Sequence, residues 1–390
     1  FRIFKGKEDT LRFKEKIGFF SKKRNKGKLI WFHGASVGEI QSIIPLIERF
    51  EKNKEIKQIL ITSNTVSSSL IIKNLKLKKT IHQFFPIDCN FISKKFLNYW
   101  KPSKAFFIDS EIWPITINNL YKRNTPIFLL NGRITNKSFN RWKFFSSFAK
   151  SIFSKFNLCL SSNTETKKYL KKLGAKNIKL IGNLKFIQSE NEKKNLDKNL
   201  INLISSRKTW CASSTHYNEE KFCGIAHLKL KKKFKNLLTI IIPRHIDRIN
   251  SIKTELNNLN LIVHLDEPKK KINPNTDVYL VNSYGKTKLF YKVCKNIFLG
   301  GSLIMHGGQN PLEATRYGCK VLHGPNISNF REIYKFLDKK NLSRKINNQD
   351  QLINCIIKYF NSKSNSKKII KDLHLMGIDI LNKTYKEINK

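Results

Sequence analysis

Short apolar runs, many of them β-branched, alternate with longer lysine-rich amphipathic stretches along the whole chain, and this alternation restricts the fold more than any other feature. In the first half the runs are Leu29–His33, Gln58–Thr62, Ala105–Ile108, Ile127–Leu130, Leu158–Leu160 and Lys179–Ile181. In the second half they are Thr209–Ala212, Leu238–Ile242, Leu261–His264, Val278–Val281, Asn296–Leu299 and Lys320–Leu322. Near-continuous apolar strands separated by helices read as parallel strands covered on both faces. So many strands exceed the width of one ordinary sheet. The expected fold class is therefore α/β, with two doubly wound, Rossmann-like domains. The polar stretch Gln188–Lys198 lacks an apolar period and marks the boundary, giving domains 1–188 and 189–390. The last helix is a candidate to pack back on the first domain. In open sheets of this kind ligands bind beyond the carboxyl ends of strands, so functional residues should follow strands directly and face a central cleft.

The 390 residues carry a formal net charge of +47, mostly from lysine, while 40% hydrophobic content and 28 phenylalanines indicate a globular chain. Such a field favours polyanions: nucleic acid, an acidic membrane or a phosphorylated lipid. Lys, Asn and Ile also abound in loops such as Asn191–Asn195, so part of the charge is compositional bias and does not name a partner. Seven scattered cysteines without a CxxC pair read as free buried thiols in a reducing cytoplasmic compartment. No apolar run reaches the roughly 18 residues of a membrane helix. Because the chain starts at Phe1, a preceding signal or anchor stays open.

The stretch Gly300–Ala314 carries the most chemical information. The run Asn296–Leu299 leads into Gly300-Gly301, and a second pair, Gly307-Gly308, precedes Asn310-Pro311-Leu312-Glu313. This predicts a buried strand, a loop around something bulky, and a helix beginning at Pro311 with Asn310 as its cap. Amides of a helix start suit an anion, and Glu313 in its first turn suits two adjacent hydroxyls. Phosphate plus diol describes a nucleotide; a plain glycine-rich turn is the alternative.

In the first half, Glu39 of the segment His33-Gly34-Ala35-Ser36-Val37-Gly38-Glu39 falls in the first turn after a strand. A carboxylate there either satisfies the helix dipole or acts as a general base. Asp109 and Glu111, in Asp109-Ser110-Glu111-Ile112-Trp113-Pro114, lie on another strand-to-helix turn and suit protons or sugar hydroxyls, although Asp109 also suits a helix cap. Lys185, in Gly182-Asn183-Leu184-Lys185-Phe186, is placed to neutralise a phosphate.

In the second half, Pro243-Arg244-His245 puts an arginine, the preferred bidentate phosphate ligand, at a strand end. Tyr284-Gly285-Lys286 offers a turn with free amides, and Ser213-Ser214-Thr215-His216 offers hydroxyls. His33, His216, His245 and His306 lie far apart and form no HxH or HxxxH pair, so hydrogen-bonding or structural roles are expected, with no metal. In Ser138–Phe156, Phe145, Phe148 and Ile152 share one helical face, which predicts core packing. Interleaved lysines offer a second reading, in which the helix seats on an anionic bilayer.

Taken together, His33–Glu39, Asp109–Pro114, Asn131-Gly132-Arg133, Gly182–Phe186, Pro243-Arg244-His245, and Gly300–Glu313 with His323-Gly324-Pro325 and Asn329-Phe330 resemble the 3-deoxy-D-manno-octulosonic acid (Kdo) transferases, glycosyltransferase family 30. The resemblance implies a two-domain GT-B architecture and inverting, cofactor-free and metal-free transfer from CMP-Kdo to lipid A at the cytoplasmic face of the inner membrane. It implies Glu39 as general base, and Glu111 and Lys185 as transition-state stabilisers. It also implies a CMP site of Pro243, Arg244, Tyr284, Gly285, Lys286, Asn310, Pro311, Leu312 and Glu313. The sequence departs from the family's usual residues at Lys286, at Asn282-Ser283 and at Asp109, and the family's hydrophobic N-terminal anchor is expected to precede Phe1. Two alternatives are another GT-B nucleotide-sugar enzyme, such as an epimerase, and a non-catalytic basic RNA- or membrane-binding protein. Against the last, the basic residues are dispersed and no base-stacking motif is present, so no nucleic-acid partner is expected.

Overall fold

A computed structural model describes residues 9–75, 77–187, 195–267, 272–362 and 366–390. Among them, fourteen strands form two sheets of seven parallel strands each. The first sheet contains β1 (Lys28–His33), β2 (Ile56–Ser63), β3 (Thr80–Phe84), β4 (Lys104–Ile108), β5 (Ile127–Gly132), β6 (Leu158–Ser161) and β7 (Ile178–Leu180), in the order β3-β2-β1-β4-β5-β6-β7. The second contains β8 (Lys208–Thr215), β9 (Leu237–Pro243), β10 (Val263–Leu265), β11 (Val278–Leu280), β12 (Asn296–Leu299), β13 (Lys320–His323) and β14 (Ser343–Lys345), in the order β10-β11-β9-β8-β12-β13-β14. Strand order reverses beside β1 and β4 in one sheet and beside β8 and β12 in the other. Each reversal opens a crevice at the carboxyl ends of those strands.

Alternate residues of a strand feed opposite cores. Leu29 and Trp31 of β1 join one apolar cluster, while Ile30 and Phe32 join the cluster on the other face. In the second sheet Trp210 and Ala212 go one way and Cys211 the other. Strands buried on both faces are what the apolar runs require.

Two strands, β3 and β14, lack the expected apolar run. β3 includes the buried His82 and Gln83, which interrupt it. β14 lies at a sheet edge, is three residues long and exposes Arg344 and Lys345, the short charged form that protects an edge.

The chain divides into two compact units, Phe1–Glu190 with Leu375–Lys390, and Asn191–His374. The expected boundary at Gln188–Lys198 lies mostly outside the described residues. The terminal helix, Ser366–Ile388, brings Ile380, Leu381 and Ile388 into the cluster that holds Ile30 and Phe32. Each such side chain contributes about 1.5–3 kcal/mol of burial. Lys179 Nζ lies 2.6 Å from Glu387 Oε2, and Gly182 (φ +112°) passes so close to the helix that a Cβ would lie 2.9 Å from Ile380 Cδ1. The helix thus braces the segment that carries Lys185.

The expectation of one helix with Phe145 and Phe148 in the core is corrected. The chain breaks at Phe145 (φ −107°, ψ 58°) between helices Asn136–Phe144 and Ser146–Phe153. The break turns Phe144 (82% exposed), Phe145 (62%) and Phe148 (49%) outward, while Ile152 stays buried.

Candidate active site

The first unit gathers its polar residues at the reversal between β1 and β4. Ser36 caps the helix Val37–Glu51 that follows β1, and Glu39 completes a capping box. Glu39 Oε2 accepts the Ala35 amide at 2.6 Å and the Ser36 amide at 3.4 Å. Among the described residues its Oε1 accepts no hydrogen bond. One oxygen therefore caps the helix, as the simpler reading expects, and the other is uncommitted. Burial pushes this carboxyl up to about 7, and the nearby Asp109 and Glu111 push in the same direction. A carboxyl with that value accepts a proton efficiently near neutral pH.

Asp109 caps no helix, contrary to the simpler alternative. It stands at the end of β4 with φ +54°. Its Oδ2 lies 2.6 Å from Lys185 Nζ, and its Oδ1 accepts from Asn131 Nδ2. Asn131, also at positive φ, accepts the Leu184 amide at 2.9 Å through its own Oδ1. One asparagine at the end of β5 thus orients the carboxylate and the short 3-10 turn Leu184–Ile187 that delivers its lysine. Positive φ costs little for Asp and Asn, which explains those residue types at both strand ends.

Glu111 Oε2 accepts from Trp113 Nε1 at 2.8 Å and contacts His33 Nε2 at 3.1 Å. His33 is fully buried against Phe85, ring centroids 3.8 Å apart, and burial lowers its pKa, so it is neutral. Its Nδ1 lies 2.9 Å from the Thr62 hydroxyl. A proton on Nε2 serves Glu111, and a proton on Nδ1 serves the Thr62 carbonyl 3.2 Å away. His33, Thr62 and Asn131 position the acidic groups. They occupy the carboxyl ends of β1, β2 and β5; His33 and Asn131 belong to segments that carry the family resemblance, whereas Thr62 has only its strand-end placement as a sequence signal.

In the second unit the loop after β12 folds around a carboxylate of the protein itself. Glu219, 1% exposed, accepts the amides of Gly301 (2.7 Å), Ser302 (3.2 Å), Leu303 (3.0 Å) and His216 (3.0 Å). A Cβ on Gly300 would lie 2.6 Å from Glu219 Oε2 and from Ser214 O, which explains a glycine there. Glu219 was not among the sequence candidates, because an acidic residue opening a helix looks like an ordinary dipole partner. The following helix is Leu312–Arg316, with Pro311 as its N-cap. It starts one residue later than expected, and Asn310 Oδ1 caps it through the Leu312 amide at 3.1 Å.

Arg244 and His245 follow β9 and are exposed, and the Arg244 amide bonds Thr215 O at 2.9 Å. Tyr284 and Gly285 are exposed, Gly285 with φ +84°. Lys286 is engaged, its Nζ 2.6 Å from Asp266 Oδ2. Leu312 and Pro311 are buried and Glu313 is half-buried. These residues share the carboxyl-end side of the second sheet.

Two all-parallel, doubly wound units define an α/β protein of the GT-B class. A putative UDP-N-acetylglucosamine 2-epimerase from Listeria monocytogenes has the same fold, with TM-score 0.62 and 12% identity over 93% of this chain and 97% of that one. In sequence, the family model for 3-deoxy-D-manno-octulosonic-acid transferase (kdotransferase) matches residues 11–188. A 3-deoxy-D-manno-octulosonic acid transferase from Rickettsia bellii is 32% identical over 94% of this chain and 88% of its own length. One from Haemophilus influenzae is 28% identical over 87% of this chain and 81% of its own. The chain belongs to the 3-deoxy-D-manno-octulosonic acid transferase family and is a glycosyltransferase.

Proposed function

We propose that the protein transfers Kdo from CMP-Kdo to the lipid A precursor lipid IVA, with inversion and without a metal or cofactor, in lipopolysaccharide synthesis at the cytoplasmic face of the inner membrane. The observation that carries this reading is the Glu39 carboxyl, held near neutrality with one oxygen uncommitted, beside the Asp109–Lys185 pair.

Glu39 takes the proton of the acceptor hydroxyl as the oxygen attacks the anomeric carbon. Lys185 and Glu111 stabilise the charges that develop there. The second unit holds the nucleotide through Pro243, Arg244, Tyr284, Gly285, Lys286, Asn310, Pro311, Leu312 and Glu313. Arg244 stabilises the phosphate as CMP departs. Because the donor already carries a good anionic leaving group, one base and these donors suffice for the chemistry.

The acceptor is an anionic glycolipid. In keeping with that, Phe144, Phe145 and Phe148 project from a corner that also carries Arg141, Lys143 and Lys150. Exposed rings flanked by cations suit the headgroup region of an anionic leaflet. No helix among the described residues is long and apolar enough to cross a membrane. The test incubates the protein with CMP-Kdo and lipid IVA and weighs the lipid by mass spectrometry. Addition of Kdo supports the reading, and an unmodified lipid under conditions where CMP binds contradicts it.

A further inference from the structure

Three histidines distant in sequence converge at the carboxyl ends of β8, β9 and β12. The His216 ring lies 4.4 Å from that of His306 and 5.8 Å from that of His245, centroid to centroid. Arg244 is the neighbour of His245 in the chain and is one of the charges that act on His216. His216 is 6% exposed and is wedged against Gly301, where a Cβ would lie 3.0 Å from its Cε1. The positive φ of Gly301 (+65°) and its missing side chain make room for the ring.

The His216 Nδ1 lies 3.0 Å from the Ser214 carbonyl, so Nδ1 carries a proton. Nε2 has no hydrogen-bond partner, and neither does the buried hydroxyl of Thr215 next to it. Buried polar groups normally find partners, and two without one at the crevice of a parallel sheet point to a ligand. Arg244 supplies a positive charge nearby, and the Glu219 carboxylate lies 3.8 Å from His216 Nδ1.

The geometry points to a seat for an oxyanion of the donor, phosphate or carboxylate, formed by His216, His306, His245 and Arg244. This rests on the nucleotide-sugar reading above and adds three histidines to it. The His306 ring packs on the His216 ring, 4.4 Å between centroids, and its side chain is exposed. An oxyanion at Nε2 requires a donor there, so binding draws a proton onto His216. That proton is opposed by burial, His306, His245 and Arg244, which hold the ring down at about 4, and is favoured by the Ser214 carbonyl and the arriving anion. The expected signature is proton uptake on binding near neutral pH.

The experiment titrates the full chain with CMP, cytidine and inorganic phosphate by calorimetry in two buffers of different ionisation enthalpy, with donor KM measured alongside. The variants are His306→Ala, at an exposed position, and His216→Gln. Loss of CMP affinity by about tenfold with cytidine unchanged assigns the seat to the phosphate. Unchanged CMP binding with a donor KM raised about tenfold assigns it to the sugar carboxylate. In the first case proton uptake on CMP binding disappears in His216→Gln, and in the second CMP binding takes up no proton even in the wild type. If both variants keep wild-type CMP affinity, proton uptake and donor KM, the histidines are structural and the inference fails. The CMP arms need no turnover, so an inactive protein that binds CMP through these histidines would overturn the transfer reading and leave the seat intact.

Discussion

Lys185 Nζ lies 2.6 Å from Asp109 Oδ2, and both groups are largely buried beside Glu39. The lysine is paired with one of the two carboxylates that raise the Glu39 pKa, and that contact fixes its position. Lys185→Ala should lower kcat by about 100-fold or more, as removal of a preorganised transition-state donor does. It should leave CMP affinity unchanged, and steady-state kinetics with CMP titration separates the two effects.

Asp109→Asn removes a negative neighbour of Glu39 while keeping the shape. The acid limb of kcat/KM against pH should then break below the wild-type value of about 7, because Glu39 ionises more easily. A limb that stays in place would show that Asp109 does not act on the base.

The same carboxyl makes stability depend on pH. Its folded value of about 7 exceeds the ordinary 4.5, so its contribution is fully present below about 4.5 and is lost as pH rises through about 7. At high pH the buried charge costs at most about 3 kcal/mol. Glu39→Gln should therefore raise the melting temperature more at pH 8 than at pH 5, as calorimetry at the two values would show.

Glu219 satisfies four amides in the second unit. Glu219→Ala should destabilise that unit by roughly 3–5 kcal/mol, because buried donors lose their acceptor. Glu219→Gln, which keeps one carbonyl oxygen, should cost less. Thermal melts of the three proteins test the order.

Replacing Phe144, Phe145 and Phe148 together by Ser should weaken binding to anionic vesicles with little change in melting temperature, since all three rings are exposed. The binding that remains should fall with salt. Vesicle co-sedimentation at two ionic strengths reads both effects.

The strands and their residues were largely legible in the sequence, because a strand buried on both faces needs a nearly unbroken apolar run. β3 and β14 were hidden because the first buries His82 and Gln83 and the second is a short charged edge. The reach of Glu39, Asp109 and Glu111 to one crevice follows from strand order, since they lie beyond the ends of the adjacent strands β1 and β4, whereas Lys185 follows the edge strand β7 and arrives through the Leu184–Ile187 turn. The positioning residues could not be read in the same way. Asn131 acts through two hydrogen bonds to partners 22 and 53 residues away, and Glu219 through amides more than 80 residues away. The helical period that would bury Phe145 and Phe148 stops at Phe145 itself, whose ψ of 58° ends the helix.

Proton transfer from the acceptor to Glu39 is tested by measuring Kdo transfer by wild type and Glu39→Gln across about pH 5 to 9, with CMP binding followed in parallel. The account predicts a wild-type kcat/KM that rises with pH and levels off above about 7, and a variant that binds CMP normally with transfer reduced by about 1000-fold or more. A variant with near wild-type turnover and the same pH profile would contradict it.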